Sequence, residues 1–92
     1  MLKTLEDLIA TIRQRKSSSD KSSYTAKLLK NKSLSVEKVK EEIGELIEAV
    51  ENNSNKVHEA ADVLYHLLVY LEANEIKIEE VMQELEKRKK FE

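Results

Sequence analysis

The stretch Val57-His58-Glu59-Ala60-Ala61-Asp62-Val63-Leu64-Tyr65-His66-Leu67-Leu68-Val69-Tyr70-Leu71 decides how this chain is read. At about 100° per residue, its apolar side chains cover nearly the whole circumference of a helix, so that helix needs neighbours on all sides. It nevertheless carries Glu59, Asp62 and His66 on one stripe, because spacings of three and four stack on a single helix face. A carboxylate held in such surroundings is protonated, paired with a cation or bound to a metal, since burying a bare charge is strongly unfavourable.

Upstream, Val36, Val39, Ile43, Leu46, Ile47 and Val50 recur at helical spacing and predict a helix over about 36–52, with Leu34 as a hydrophobic staple and Ser35 as its N-cap. Glu42 borders the apolar face of that helix, and Glu41 and Glu45 lie further toward solvent. Asn52-Asn53-Ser54-Asn55 closes it and opens the next helix, about 55–73, for which Asn74 suits a left-handed C-cap. So short a connection makes the two helices antiparallel neighbours. The two acidic sets then lie at similar depths from the reversal and can converge.

Further out, Leu2, Leu5, Leu8, Ile9 and Ile12 predict an amphipathic helix over about 2–16. Lys16-Ser17-Ser18-Ser19-Asp20-Lys21-Ser22-Ser23 has no periodicity and reads as a loop. Tyr24 to Leu29 forms a short helix capped by Ser22 or Ser23, and Asn31 to Ser35 breaks the pattern. Ile78, Val81, Met82 and Leu85 mark a last helix over about 77–90. The expected fold is all-α: one domain over 1–92, an antiparallel bundle of four main helices. Three partner helices do not cover the apolar circumference of the 55–73 helix, so a homodimer is expected to complete it.

Composition narrows the function. Proline is absent, Gly44 is the one glycine, and 37% of residues are charged, as in a helical protein with solvated outer faces. Without cysteine there is no disulfide and no thiolate metal site. A net charge of −2 argues against nucleic acid as the main partner. No apolar run is long enough to span a membrane, and early acids in Met1-Leu2-Lys3-Thr4-Leu5-Glu6-Asp7 argue against a signal peptide. The cytoplasm is the expected compartment. A lone mid-helix glycine also leaves no phosphate-binding loop.

Acids at helical spacing are commonly a solvated face. Glu59 and Asp62 resist that reading because they interrupt an apolar helix. Four gathered carboxylates raise one another's pKa values, and a divalent cation removes that penalty. Oxygen ligands with at most one nearby histidine suit Mg2+, or Mn2+, better than Zn2+. Such a centre fits hydrolysis of a phosphoanhydride. His66 alone reads as a hydrogen-bonded core histidine, and one turn from Asp62 it can buttress that residue. His58 shows no specific pattern. Arg13, Lys16, Lys21 and Arg88-Lys89-Lys90 are available to phosphate, although the last run also suits a helix C-terminus.

Three segments carry a family resemblance: Ser23-Tyr24-Thr25-Ala26-Lys27-Leu28-Leu29, Lys38-Val39-Lys40-Glu41-Glu42-Ile43-Gly44-Glu45, and Glu59-Ala60-Ala61-Asp62-Val63-Leu64-Tyr65-His66-Leu67-Leu68. Together with Glu84-Leu85-Glu86-Lys87-Arg88 they resemble phosphoribosyl-ATP pyrophosphohydrolase over essentially the whole chain. The acidic pattern alone is shared by the wider MazG-like all-α nucleotide pyrophosphohydrolases. The resemblance implies Mg2+-dependent hydrolysis of phosphoribosyl-ATP to phosphoribosyl-AMP and pyrophosphate in histidine biosynthesis, by a form without a fused cyclohydrolase domain. It implies that Glu42, Glu45, Glu59 and Asp62 are metal ligands and that Glu41 orients water or acts as base. Ser23, Tyr24 and Thr25 are implied to border the nucleotide. Lys27, Lys38 and Arg88 are the cations expected to offset phosphate charge. Lys40 stands where the family commonly has a glycine before its paired glutamates, and Lys30-Asn31-Lys32 where a glycine commonly follows the leucines. Two other readings remain: a MazG-like enzyme acting on other nucleoside triphosphates, and a non-catalytic helical dimerisation module.

Overall fold

Five α-helices make up most of the computed structural model, which describes residues 2–17 and 22–89: α1 (Leu2–Lys16), α2 (Tyr24–Lys30), α3 (Lys32–Asn52), α4 (Lys56–Ala73) and α5 (Ile78–Lys87). There is no strand among the described residues. Lys21, Lys90 and the middle of the serine-rich stretch lie outside them.

Side-chain capping sets the joints. Ser23 Oγ accepts from Ala26 N at 3.1 Å and starts α2. Asn31 ends α2 and also caps α3, its Oδ1 accepting from Leu34 N at 3.1 Å. α3 therefore begins at Lys32, not at residue 36, and Leu34 and Ser35 lie inside it. The expected break at Asn31–Ser35 contracts to one residue, because nothing after Asn31 resists helical geometry.

The hairpin between α3 and α4 rests on Asn53. Its φ of 53° places it in the left-handed region, while Asn53 N donates to Val50 O at 3.2 Å and Ser54 N to Ala49 O at 2.9 Å. This is a Schellman closure of the last carbonyls of α3. The same closure ends α4, but one residue later than expected. Asn74 has φ −105°, and Glu75 carries the positive φ of 60°. Ile76 N then donates to Leu71 O at 2.9 Å, and Asn74 Nδ2 donates back to Tyr70 O at 2.8 Å. α5 is shorter than expected, ending at Lys87 rather than near residue 90.

The core gathers Ile12 of α1, Leu28 and Leu29 of α2, and Leu68, Val69 and Ala73 of α4, with Leu8, Ile9, Leu34, Tyr65 and Ile78 packed around it. The short α2 is thus a core element rather than an accessory. α3 runs antiparallel along another side of α4, where Glu42 faces Asp62 and His66, and Glu45 faces Glu59.

The buried line of α3 differs from the expected one. Ser35, Glu42 and Ala49, spaced by seven, are its buried residues. Ile43, Ile47 and Val50 are exposed, Ile47 by 56%. On α4, Val57, Leu64 and Leu67 are also exposed. The apolar residues read as one face of α3 therefore divide between a line packed on α4 and a row that a single chain leaves uncovered.

α1, α4 and α5 are tied by charge. Arg13 Nε donates to Glu72 Oε2 at 3.0 Å, and its two terminal nitrogens donate to the Glu79 carboxylate at 2.7 and 2.6 Å. Lys16 Nζ lies 3.6 Å from Glu72 and 3.1 Å from Glu75. Arg13 and Lys16, read from sequence as possible phosphate contacts, are engaged in this network. None of the helices among the described residues is long and apolar enough to cross a membrane.

Candidate active site

The acidic residues of α3 and α4 meet across the hairpin. On α3, one carboxylate oxygen from each of Glu41, Glu42 and Glu45 lies within 4.8 Å of the others. On α4, Glu59 and Asp62 are gathered in the same way with a ring nitrogen of His58. The two sets sense each other: Glu42 interacts with Asp62, and Glu45 comes within hydrogen-bonding reach of Glu59.

Glu42 sits deepest. It is 8% exposed, and its Oε2 is buried with no hydrogen-bond partner. Burial raises its pKa first, the Glu45 charge adds to that, and His66 opposes it. Glu45 is exposed, but partial loss of solvent around its carboxylate also raises its pKa, with Glu59 and then Glu41 contributing. Each shift has the sign of crowded carboxylates short of cations. Two exposures differ from a fully buried stripe on α4: the Glu59 side chain is 14% exposed, but that of Asp62 is 36%. The acids thus line an opening rather than a sealed core. Toward the hairpin turn it widens into a shallow cleft of about 290 Å³ between Glu45, Glu48, Asn52, Asn55 and Glu59.

His58, which showed no pattern in the sequence, reaches both α4 acids. Its Nε2 lies 3.3 Å from Asp62 Oδ2 and 3.7 Å from Glu59 Oε1. The signal was present in its spacing of four from Asp62, which places the pair on one helix face.

His66 meets Asp62 differently from the carboxylate buttress expected. Its Nδ1 lies 2.9 Å from the backbone oxygen of Asp62, so that nitrogen carries the proton and donates. In the neutral ring Nε2 then accepts from the Tyr24 hydroxyl at 3.1 Å. Thr25 Oγ1 and the Tyr65 hydroxyl form a second hydrogen bond alongside. The Tyr24 and Tyr65 rings stack at a centroid distance of 6.4 Å. These contacts bring the start of α2 against the acid-bearing part of α4.

Of the expected cations, Lys38 comes closest to the acids, with Nζ 3.5 Å from Glu41 Oε1. The neighbouring Glu41 carboxylate chiefly holds its pKa up. Lys27 is exposed on α2. Arg88 is paired with Glu84 at 2.9 Å near the end of α5, a helix with no contact to α3, so a single chain does not bring it to the acids. Ser23 is occupied as the N-cap of α2.

Fold and site together define a small all-helical protein with one carboxylate-lined face on a helical hairpin. The family described as phosphoribosyl-ATP pyrophosphohydrolase matches residues 5–89, and the chain belongs to it. Among its relatives, a phosphoribosyl-ATP pyrophosphatase from Cereibacter sphaeroides is 47% identical over 93 residues, covering 95% of this chain and 87% of the relative. Another so named, from Dinoroseobacter shibae, is 49% identical, covering 95% of this chain and 88% of the relative. A third, from Haloarcula marismortui, is 39% identical and covers 92% of each chain.

Proposed function

We propose that Glu42, Glu45, Glu59 and Asp62 hold the divalent cation, Mg2+ or Mn2+, with which this chain carries out its family's reaction. That reaction is hydrolysis of phosphoribosyl-ATP to phosphoribosyl-AMP and pyrophosphate in histidine biosynthesis. The bond broken is the α–β phosphoanhydride.

The observation that carries the reading is the unpartnered oxygen of Glu42. A carboxylate oxygen buried without a partner is strongly unfavourable in a finished fold, and three further acids at its side make it worse. The four proposed ligands are all oxygen donors, with His58 as the one nitrogen beside them, and the set is open on one side, which matches a hard cation that keeps part of its shell for water and phosphate. When bound, such a cation neutralises phosphate charge and lowers the pKa of a water.

The chain's own residues do the remainder. Glu41, exposed beside Glu42, accepts a proton from the attacking water or orients it. Lys38, currently against Glu41, offsets phosphate charge. Tyr24 and Thr25 border the nucleotide from α2, Ser23 fixes the start of that helix, and Lys27 faces solvent near its middle. We assign the work to one domain in the cytoplasm, with a second copy covering the exposed rows on α3 and α4. Arg88 meets substrate in this reading only if that second copy carries it to the acids.

The test is pyrophosphate release from phosphoribosyl-ATP by Glu59→Gln and Asp62→Asn, with far-ultraviolet circular dichroism as the folding control. Both variants keep their helicity and lose turnover. Wild-type turnover in either one defeats the assignment. A panel of ordinary nucleoside triphosphates, measured alongside, must be hydrolysed far more slowly than phosphoribosyl-ATP.

A further inference from the structure

We propose that His66 is a positioning residue whose target is Tyr24, and that its hold on the start of α2 sets how tightly substrate is bound. The proposal rests on the reading of the carboxylate face as the catalytic centre. It departs from a role for His66 in steadying the Asp62 carboxylate.

The geometry separates the two roles. His66 touches Asp62 only at the backbone oxygen, which already belongs to a helix and needs no imidazole to hold it in place. Its other nitrogen, in contrast, takes the hydroxyl of a residue 42 positions away, on a different helix. His66 is buried, whereas Tyr24 is 44% exposed and interacts with Lys38, Glu41 and Glu42. The buried ring is therefore the fixed member and the half-exposed phenol the one being placed. The two rings meet edge-on, with centroids 5.9 Å apart and planes at 78°, and with Tyr65 stacked alongside, the Tyr24 ring still keeps nearly half its surface exposed to solvent or ligand. The neighbouring pair Thr25–Tyr65 makes a second tie between the same two segments. Tyr24 follows directly on the serine-rich loop, so the tie also fixes where that loop re-enters the fold.

Two substitutions divide the contacts of His66 between them. His66→Asn keeps a donor near the Nδ1 position, toward Asp62, and removes the acceptor for Tyr24. His66→Gln puts an amide oxygen near the Nε2 position and keeps that acceptor. Tyr24→Phe deletes the hydroxyl from a half-exposed ring with little risk to folding.

Steady-state kinetics with phosphoribosyl-ATP and Mg2+ provide the test. Tyr24→Phe and His66→Asn each raise KM about tenfold, the scale of one neutral hydrogen bond, with kcat within about twofold of wild type. The double variant is no worse than the weaker single, because both remove the same bond. His66→Gln stays near wild type. The proposal is overturned if the two effects multiply, if kcat falls while KM holds, or if His66→Gln is impaired and His66→Asn is not, the order an Asp62 support would give. Should His66→Asn not fold, Tyr24→Phe and His66→Gln still decide the matter, since a wild-type KM in the first or a raised KM in the second sinks it. Glu59→Gln in the same series isolates the underlying reading: full activity there removes the carboxylate centre, whatever the KM pattern of Tyr24 and His66.

Discussion

Arg13 and Glu72 stand 59 positions apart in sequence, and a 3.0 Å hydrogen bond from the guanidinium Nε to the carboxylate joins them. Glu72 is buried near the end of α4, while the rest of the Arg13 fork grips Glu79 on α5. One side chain of α1 therefore holds two other helices, and α5 has few packing contacts of its own. Removing the cation leaves a buried carboxylate with only Lys16, at 3.6 Å, for compensation. Loss of one member of a fully buried pair costs about 3–5 kcal/mol; here Arg13 is 36% exposed and Lys16 compensates in part, which brings Arg13→Met to roughly 2 kcal/mol. In a domain of this size that lowers Tm by about 10 °C. Differential scanning calorimetry measures it, and kcat at 25 °C should not change, because the network is not part of the carboxylate face. A Tm within about 2 °C of wild type would mean the pair is only decorative.

The same fork predicts a pH dependence at Glu79. Its carboxyl is held down at about 2 by the hydrogen bonds from Arg13. A depressed carboxylate pKa contributes stability that is present above the ordinary carboxylate value and lost as pH falls toward the folded one. Glu79→Gln should therefore melt below wild type from neutral pH down to about 4.5, and the gap should close between about 4.5 and 2. Because Glu79 is exposed, 1 M salt should shrink the gap at every pH. A gap that persists unchanged down to pH 2 would remove the pairing as its cause.

Glu42 presents the opposite sign. Its carboxylate is buried, one oxygen has no partner, and burial lifts its pKa. The metal-free fold therefore carries this group at a disadvantage at neutral pH. Glu42→Gln should raise the melting temperature of the metal-free protein by several degrees, about 1 kcal/mol, while abolishing turnover. It should also abolish the Tm increase that Mg2+ gives the wild type, since a ligand that binds only the native state must stabilise it. Thermal melts with chelator and with Mg2+ separate these effects. A destabilised metal-free variant would show that Glu42 has a structural partner after all.

These residues also show what could be read from the sequence. Helical periodicity located α1, α4 and the acidic pairs, because spacing alone fixes which side chains share a helix face. It also set the two acidic sets at similar depths from a tight asparagine-rich reversal, whereas the pairing of Glu45 with Glu59 in particular came from the packing of α3 on α4. It misjudged α3: Ile43, Ile47 and Val50 have the right period for a core face, yet the packed line is Ser35, Glu42 and Ala49. Hydropathy favours the apolar row, whereas the residues of α3 that one chain buries are two small side chains and a carboxylate. Asn31 hid a cap inside what looked like a break. The fork of Arg13 was out of reach, because partners 59 and 66 positions away leave no local pattern. The same holds for Tyr24 and His66, whose pairing depends on how the short α2 folds back over α4.

The uncovered rows on α3 and α4 give the last prediction. Ile47 is 56% exposed and Leu64 53%, and Ile43, Val50, Val57 and Leu67 extend the two rows. So many exposed aliphatic side chains on one helical hairpin exceed the scattered apolar residues of an ordinary monomer surface. A second copy of the chain is the occupant proposed here. Light scattering of the wild type should then report twice the chain mass, and Ile47→Glu or Leu64→Glu should yield the single-chain mass at micromolar concentration. A charge placed at the centre of such a contact is buried without a partner in the dimer but is solvated in the monomer, so it acts on association and leaves helicity intact. The monomeric variants should melt at a lower temperature that no longer rises with protein concentration, whereas the wild-type Tm does rise. If both glutamate variants keep the wild-type mass, these rows face solvent or another partner, and the second copy must sit elsewhere or not at all.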